Sequence, residues 1–392
     1  MFSDAVGPPR NAGWPVVKQY VDVRNPMLGY LILLLAFVLL FALSFYFGFR
    51  EWLHPEDNAP IPVDVEYVRV ENYFGSSFRA KMQEWLETAR PAEVREPLKP
   101  PVEAVLEKSN GERILLLNAG QFGGDREHDE LVCCDGDLSL ADQSVFRREV
   151  YCRGKVETGA GVQLQALAAD RDVTLGLDND VARWVDANGK VWVRRGTIVH
   201  SRVSSQESIR LDLSVTAQSL FAPVIFTSGY RPTPGYTAPE EGNSKGPANG
   251  TTSKAPESLP PNVTRLASDT LLVRGDMELK PGSRVDGNLI VQGTLRSGPD
   301  CAFLGDVKAG KVELGPRNAV SRNLVSGSTL AVGESGRIAK AVVAETDVLL
   351  SPGTRVGEPG KLAVVTAGRE VKLEQDVAVW GKVSAGQAIR TL

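Results

Sequence analysis

Residues 275–320 read GDMELKPGSRVDGNLIVQGTLRSGPDCAFLGDVKAGKVELGPRNAV. Within this stretch, a glycine, a polar residue and an apolar residue follow one another at Gly275-Asp276-Met277, Gly293-Thr294-Leu295 and Gly310-Lys311-Val312. The apolar residues of these steps lie 18 and 17 positions apart. Between the steps, apolar and polar residues alternate as in β-strands, and Gly or Pro-Gly pairs interrupt the alternation. The stretch therefore predicts a repeat of short strands joined by tight turns.

The same spacing extends over two blocks of the chain. The apolar column comprises Leu138, Val156, Val173, Val191 and Ile209 in the first block, and Met277, Leu295, Val312, Leu330, Val348 and Val371 in the second. Successive members lie 18, 17, 18 and 18 residues apart in both blocks, and the final step of 23 predicts an insertion near Glu358-Pro359-Gly360. A second column, at Val285, Phe303, Val320, Ile338 and Val356, runs in phase with the first. Two columns in phase indicate a true repeat.

A unit of about 18 residues that holds three short strands and three turns is one coil of a triangular parallel β-helix. We therefore predict an all-β solenoid, with a first block over 119–228 and a second over 263–392. A helical repeat is excluded because turn-forming residues interrupt every unit. The handedness of the helix, and whether the two blocks form one continuous solenoid, stay open at this point.

A Pro/Gly-rich segment over 229–262 separates the two blocks. Its composition is poor in apolar residues, so it cannot bury enough surface to order itself. We predict a disordered linker there.

Residues 27–49 read MLGYLILLLAFVLLFALSFYFGF and contain no charge. As a helix they would extend about 34 Å, which exceeds the ~30 Å of a bilayer core. We predict a single uncleaved transmembrane helix, preceded by an N-terminal arm over 1–26. Arg10, Lys18 and Arg24 in that arm favour a cytoplasmic N-terminus with the rest of the chain outside.

Residues 50–118 form a predicted juxtamembrane region that contains an amphipathic helix. Its apolar residues recur at helical spacing, at Phe74, Phe78, Met82, Trp85 and Leu86. Such a helix packs on the following domain or lies on the membrane surface. The absence of a basic stripe favours packing.

The β-helix of 17- to 18-residue coils, beside a Pro/Gly-rich segment and a membrane attachment, resembles the bactofilins, a family of bacterial polymer-forming cytoskeletal proteins. The likeness is best over 265–392 and extends as a repeat to 131–220. It implies a β-helical core that stacks end to end into non-polar filaments without nucleotide, on the cytoplasmic side. The chain departs from the family pattern by its two repeat blocks and its full membrane span.

These features predict a structural role: a scaffold in a bacterial cell membrane that self-associates, contacts lipid through 27–49 and positions envelope or cytoskeletal proteins. No catalytic residue, cofactor or metal site is expected. The net charge of −4 argues against a nucleic-acid partner.

Two alternatives stay open. One is a β-helix enzyme acting on envelope polysaccharide, or an acyltransferase with His200 as its base. The other is a monomeric solenoid binding module.

The C-terminal coil is the predicted self-association surface. Its apolar residues Val379, Trp380 and Ile389 lie near the end of the chain, and an uncapped last coil would expose unpaired backbone and apolar side chains.

Cys134 and Cys152 lie 18 residues apart, so we expect them to stack inward on adjacent coils. Whether a disulfide joins them depends on the redox compartment.

Overall fold

A computed structural model describes residues 26–53, 73–93, 100–124, 127–231 and 262–392. The chain divides into two compact units, Met1–Pro60 and Ile61–Leu392. The predicted arm up to residue 25, and the predicted linker from 232 to 261, lie outside the described residues.

Helix α1, Pro26–Leu53, is the described element of the first unit. Its described side chains are those of residues 30–41, 43, 45 and 46, and they are exposed. Across the residues that can be described, no helix has the length and apolar character needed to cross a membrane.

The second unit begins with helix α2, Tyr73–Thr88, and continues with the strands of the first block. These are β1 Arg90–Pro91, β2 Val102–Glu107, β3 Arg113–Leu117, β4 Gly120–Phe122, β5 Glu127–His128, β6 Leu131–Cys134, β7 Leu138–Leu140, β8 Val145–Phe146, β9 Val150–Cys152, β10 Val156–Thr158, β11 Gln163–Leu164, β12 Leu167–Ala169, β13 Val173–Leu175, β14 Asp180–Val181, β15 Trp184–Ala187, β16 Val191–Val193, β17 Ile198–Val199, β18 Arg202–Ser205, β19 Ile209–Leu211 and β20 Thr216–Thr227.

The second block supplies the remaining strands. They are β21 Val263–Ala267, β22 Thr270–Val273, β23 Met277–Leu279, β24 Arg284–Val285, β25 Asn288–Ser297, β26 Ala302–Phe303, β27 Val307–Leu314, β28 Ala319–Val320, β29 Leu324–Ser326, β30 Leu330–Val332, β31 Arg337–Ile338, β32 Ala341–Ala344, β33 Asp347–Leu350, β34 Arg355–Val356, β35 Ala363–Ala367, β36 Glu370–Leu373 and β37 Ala378–Thr391.

Parallel pairing between successive coils builds a three-sided solenoid of about 14 turns. Face 1 consists of β4, β7, β10, β13, β16 and β19, followed across the junction by β34, β31, β28, β26 and β24. Face 2 consists of β5, β8, β11, β14 and β17, then β36, β33, β30, the second halves of β27 and β25, and β23. Face 3 consists of β3, β6, β9, β12, β15 and β18, then β35, β32, β29, the first halves of β27 and β25, and β22.

The predicted repeat is confirmed residue by residue. Val156 lies opposite Leu138 on one side and Val173 on the other, and Leu330 lies between Val312 and Val348 in the same way. The predicted insertion is a turn between β34 and β35, closed by a bridge between Glu358 and Lys361.

One apolar core runs through both blocks, from Leu117 near the start of the solenoid to Ile389 in the last coil. The inward side chains of the apolar column are fully buried, and Val156, Val312 and Val348 are 0% exposed. Stacking equivalent side chains at the ~4.8 Å spacing of neighbouring strands keeps the core dense. The two blocks therefore form one continuous solenoid.

The corner between faces 1 and 2 explains the turn residues of the repeat. One residue of each coil adopts a left-handed backbone there, with φ between 53° and 77°. These residues are Gln143, Gly161, Asp178, Gly196 and Ser214 in the first block, and Gly282, Asp300, Arg317, Ser335, Gly353 and Asp376 in the second. Glycine, Asp and Ser recur there because glycine has no Cβ to clash and short polar side chains tolerate this conformation.

Helix α2 packs on the outer surface of face 3 in the first block, which confirms the packing alternative. Phe78 and Met82 pack against Cys133, Tyr151 and Trp184, and the ring centroids of Phe78 and Trp184 are 5.4 Å apart. This stripe of face 3 is therefore shielded from water by the helix.

An ion-pair network secures α2 to face 3. Arg79 donates through Nε to Asp170 Oδ1 at 2.9 Å, through Nη2 to the Ala169 carbonyl at 2.6 Å, and pairs with the buried carboxylate of Asp186. The Tyr151 hydroxyl donates to Asp170 Oδ2 at 2.7 Å. Burial, together with this hydrogen bond, raises the pKa of Tyr151 to about 12.

The left-handed corner gives a direct test of the fold. At Gly282 φ is 72°, and a Cβ added there would meet no atom within 4 Å. The cost of Gly282→Ala is therefore conformational, and we expect about 1 kcal/mol lower stability in urea unfolding. Gly282→Asn should cost less, because Asn tolerates the left-handed region. Equal stability of Gly282→Ala and wild type would contradict this account of the corner.

The Arg79 network predicts a change in thiol reactivity. Arg79→Met leaves Asp186 buried without its main partner, which should destabilise the docked helix by about 3 kcal/mol. Cys133 lies beneath α2 with 2% exposure, so maleimide labelling of this thiol should accelerate by about 100-fold. Lys81→Met changes an exposed cation of the same helix and should leave the labelling rate unchanged. Unchanged labelling in Arg79→Met would show that the network does not hold the helix.

Candidate functional site

The two blocks meet through their last coils. Strand β20 has 12 residues and β37 has 14, and each runs without interruption across all three faces. They pair antiparallel, from Thr216 opposite Arg390 to Phe226 opposite Ala378. The C-terminal end of one block is therefore joined to the C-terminal end of the other, as in a two-fold contact between identical subunits.

Bulges let these two strands turn the corners while staying paired. The register shifts between Ala217 and Ser219, and again between Ala222 and Ile225. A bulge bends a strand without ending its ladder. In β37, Gly381 is required at one bend, because a Cβ there would lie 2.3 Å from the Ala363 carbonyl oxygen.

Thr227 at the end of β20 satisfies polar groups of the other block. It stacks on Leu211 of the preceding coil, so a hydroxyl occupies an apolar position of the repeat. Its Oγ1 donates to the Glu374 carbonyl at 2.7 Å and accepts from the Val377 N–H at 2.9 Å. The threonine thereby ties β20 to the corner that precedes β37.

Thr391 at the end of β37 makes the matching contacts in the reverse direction. It stacks on Leu373, its Oγ1 donates to the Asp212 carbonyl at 2.6 Å, and it accepts from the Val215 N–H at 2.9 Å. Thr227 and Thr391 therefore form a near-symmetric pair that closes both sides of the junction.

The structure corrects the expectation that the C-terminal coil is an open end. Val379, Trp380 and Ile389 are 0%, 6% and 1% exposed. Val379 lies opposite Ile225, and Ile389 lies opposite Ala217. The first block covers this coil, so the three side chains are not available to a second molecule while the junction is intact.

The second-block end of the solenoid is the more open of the two remaining ends. In the part of the chain that the structure describes, β21, β23 and β24 each pair on one side only, with β22, β25 and β26. Met277 and Leu279 are partly exposed, whereas Leu295 in the next coil is 0% exposed. Leu266 in β21 is 47% exposed. We call the end formed by β21, β23 and β24 the second-block end.

At the first-block end, β4 and β5 also pair on one side only among the described strands, with β7 and β8, but the core side chains are better covered. Antiparallel strands β2 and β1 extend face 3 beyond β3. A stack of rings covers the core beneath faces 1 and 2, with centroids 4.6 Å apart for Phe122 and His128 and 5.1 Å apart for His128 and Phe146. The two ends of the solenoid therefore differ in what they expose.

The cysteines lie inside the fold as free thiols. Cys134 and Cys152 lie opposite each other on adjacent strands and are 0% exposed, which confirms the predicted inward stacking. The side-chain hydrogen bond to Cys134, together with burial, raises the pKa of Cys152. Burial raises the pKa of Cys133 to about 12. Cys133 and Cys152 are held protonated in this way and are poor nucleophiles, whereas the hydrogen bond with Cys152 lowers the pKa of the buried Cys134 to about 7.

His200 lies on the outer surface of the first block. Its Nε2 is 3.0 Å from Asp180 Oδ1, and both side chains are about half exposed. The described residues contain no group of three His, Cys, Asp or Glu side chains placed to hold a metal ion.

Comparison of the chain with protein-family models, with curated proteins and with solved structures gave no match.

Sequence reasoning missed Thr227, Thr391 and Arg79. The sequence did contain a signal for the two threonines. Thr227 follows Leu211, and Thr391 follows Leu373, by about the length of one coil, so each threonine occupies the next position of an apolar column. Arg79 offered no such signal, since its partners lie 91 and 107 residues away along the chain.

The threonine pair predicts a loss of stability at the junction. Thr227→Val keeps the shape of the side chain but leaves the buried Val377 N–H and the Glu374 carbonyl without a partner. We expect about 2 kcal/mol lower stability, measured by urea unfolding, and a similar loss for Thr391→Val. Thr216→Val is the control, because that side chain lies on the outer side of β20. A neutral effect of both junction variants would contradict the role of these hydroxyls.

Proposed function

We propose that the chain is a membrane-anchored structural scaffold whose solenoid self-associates without nucleotide. Residues 27–49 anchor it in the bilayer of a bacterial cell, and the solenoid presents the second-block end to a second copy. The observation that carries this proposal is the junction itself, in which two coil ends of this repeat are paired antiparallel and buried.

The composition of α1 supports membrane anchoring. Its 23 residues from Met27 to Phe49 carry no charge. The described apolar side chains of this helix are exposed, for example Leu33 at 68% and Phe37 at 67%. A row of exposed apolar side chains is more stable in lipid than in water.

The strand edges and the partly exposed core side chains of the second-block end support self-association. Unpaired strand edges template pairing with another chain, and partly exposed core side chains gain from being covered. Two second-block ends meeting about a two-fold axis would pair β21 with β21, as β20 pairs with β37 inside the chain. Because the Phe122 stack covers the core side chains at the first-block end, we expect the first product of this contact to be a closed dimer.

The bactofilin resemblance is consistent with such a scaffold. The two blocks of one chain already stand as two stacked subunits, joined through their C-terminal coils. Dimers formed at the second-block end would present two membrane anchors and two first-block ends to envelope or cytoskeletal partners. Assembly by coil stacking needs no bound nucleotide.

A monomeric binding module is the second candidate, and the geometry of β21 favours it. The strand carries a register shift between Arg265 and Ala267. A bulge and a charged residue on an edge strand are devices that prevent edge-to-edge pairing. The two candidates differ in one measurable property, the oligomeric state.

Sedimentation velocity of the full-length protein in detergent, over a range of concentrations, separates these candidates. We expect a reversible dimer for the wild type. Leu266→Glu places a charge on the exposed residue of β21 and should shift the protein to monomer, because pairing would bury that carboxylate. Leu362→Glu is the matched control, since Leu362 is 37% exposed on the inserted loop away from both ends, and should leave the dimer intact.

Two outcomes would overturn the scaffold proposal. A wild type that stays monomeric at every concentration would leave the binding module as the better account. Equal dissociation by Leu266→Glu and Leu362→Glu would show that the contact does not lie at the second-block end.

A further inference from the structure

A row of arginine and aromatic residues crosses the junction on the outer surface of face 1. Neighbouring strands place these residues opposite one another in the order Trp192, Arg210, Phe226, Ala378, Arg355 and Arg337. Ala378, at the centre of the row, is fully buried, and the other five side chains form the surface. Six strands at ~4.8 Å spacing make a row about 24 Å long. It contains three arginines, two aromatic residues and no acidic residue. We call it the face 1 strip.

Two arginines hold Trp192 at the first-block side of the strip. The Arg210 Cζ lies 4.3 Å from the Trp192 ring centroid, and the Arg194 Cζ lies 5.5 Å from it. Trp192 Nε1 donates to Asp212 Oδ1 at 3.1 Å, which sets the orientation of the indole. A guanidinium that lies over an aromatic ring can still donate from its edge N–H groups to an anion in the guanidinium plane.

A second aromatic group, from the end of the first block, lies at the junction and reaches Arg355 of the second block. The ring centroids of Phe226 and Tyr230 are 5.0 Å apart, and the Arg355 Cζ lies 5.1 Å from the Tyr230 ring. Arg355 is 12% exposed and pairs with Asp376 at 2.8 Å. It therefore positions Tyr230, while the exposed cations of the strip are Arg210 and Arg337.

The corresponding row on face 2 has a different chemistry. Across the junction it runs through Ile198, Thr216, Arg390, Lys372 and Leu349, without an aromatic residue. Both of its cations face Glu370, at 3.5 Å from Arg390 and 3.7 Å from Lys372. On face 1, Arg210 likewise lies 3.7 Å from the Asp212 carboxylate. What distinguishes face 1 from face 2 is therefore the presence of aromatic rings beside its exposed arginines.

From this arrangement we propose that the face 1 strip binds a linear polysaccharide that carries carboxylate groups. Arg194, Arg210 and Arg337 pair with carboxylates along the polymer, because a guanidinium matches a carboxylate in a planar, two-point contact. Trp192 and Tyr230 are half-buried, and the apolar faces of the sugar rings lie against the ring surface that the neighbouring arginines leave exposed.

The shape and charge of the strip favour this ligand over a nucleic acid. The strip takes one residue from each of six neighbouring strands, so it fits a single extended chain with anionic groups at intervals. The protein as a whole carries a net charge of −4, which opposes the dense phosphate charge of DNA or RNA. A polysaccharide with one carboxylate on a sugar has a lower charge density, and its rings supply the apolar faces.

Titration of the detergent-solubilised full-length protein with polygalacturonate tests the proposal. We expect saturable binding that weakens with salt, and no binding of neutral dextran. Arg210→Gln and Arg337→Gln, at the two sides of the junction, should each weaken binding about tenfold, the value of one charge-assisted contact. Arg390→Gln removes the same charge from face 2 and should leave the affinity within about twofold of wild type.

Three results would overturn the proposal. One is the absence of polygalacturonate binding by wild type. Another is equal weakening by Arg390→Gln and Arg210→Gln, which would show that the attraction is diffuse rather than located on face 1. The third is tighter binding of a single-stranded oligonucleotide than of polygalacturonate, which would assign the strip to nucleic acid. Thermal unfolding of each variant confirms that the solenoid is intact, and Arg337→Gln decides the test if Arg210→Gln fails to fold.

Discussion

Backbone hydrogen bonding between successive coils is the interaction on which the whole solenoid depends. Each strand bonds to the coil before it and the coil after it, so every stack of coils ends in a row of unpaired N–H and C=O groups. Two separate blocks would have four such ends. Pairing β20 with β37 removes two of them, and Thr227 and Thr391 satisfy the corner groups that a regular ladder would leave unpaired.

The repeat could be predicted from the sequence because it is periodic and local. The positions of Val156, Val312 and Ile338 follow from spacing alone, since a coil buries the same side chain each time it returns. The junction could not be predicted in this way, because antiparallel pairing of Ile225 with Val379 has no periodic signature. For the same reason the C-terminal coil was expected to be open. Its apolar residues do mark a contact surface, but that surface is used within the chain.

Helix α2 shows how a polar contact can direct a mainly apolar interface. Phe78 and Met82 supply the buried area, but apolar packing alone would tolerate a shift of the helix along face 3. Arg79 removes that freedom, because its carboxylate partners Asp170 and Asp186 lie on successive coils. A buried carboxylate such as Asp186 is costly without its partner, so only one position of the helix is stable. The amphipathic spacing predicted the helix, and the absence of a basic stripe favoured packing over the membrane surface. The position of α2 along face 3 depends instead on these long-range ion pairs.

The arrangement of the two blocks also explains why a long segment must separate them. β20 lies at the junction, whereas β21 lies at the opposite end of the second block, eight inter-strand steps away along face 3. Eight steps of ~4.8 Å are about 38 Å, which an extended chain at ~3.3 Å per residue covers with about 12 residues. Residues 232–261 exceed this length. Head-to-tail stacking would need only a corner turn between the blocks, so the long segment is a requirement of joining them through their C-terminal coils.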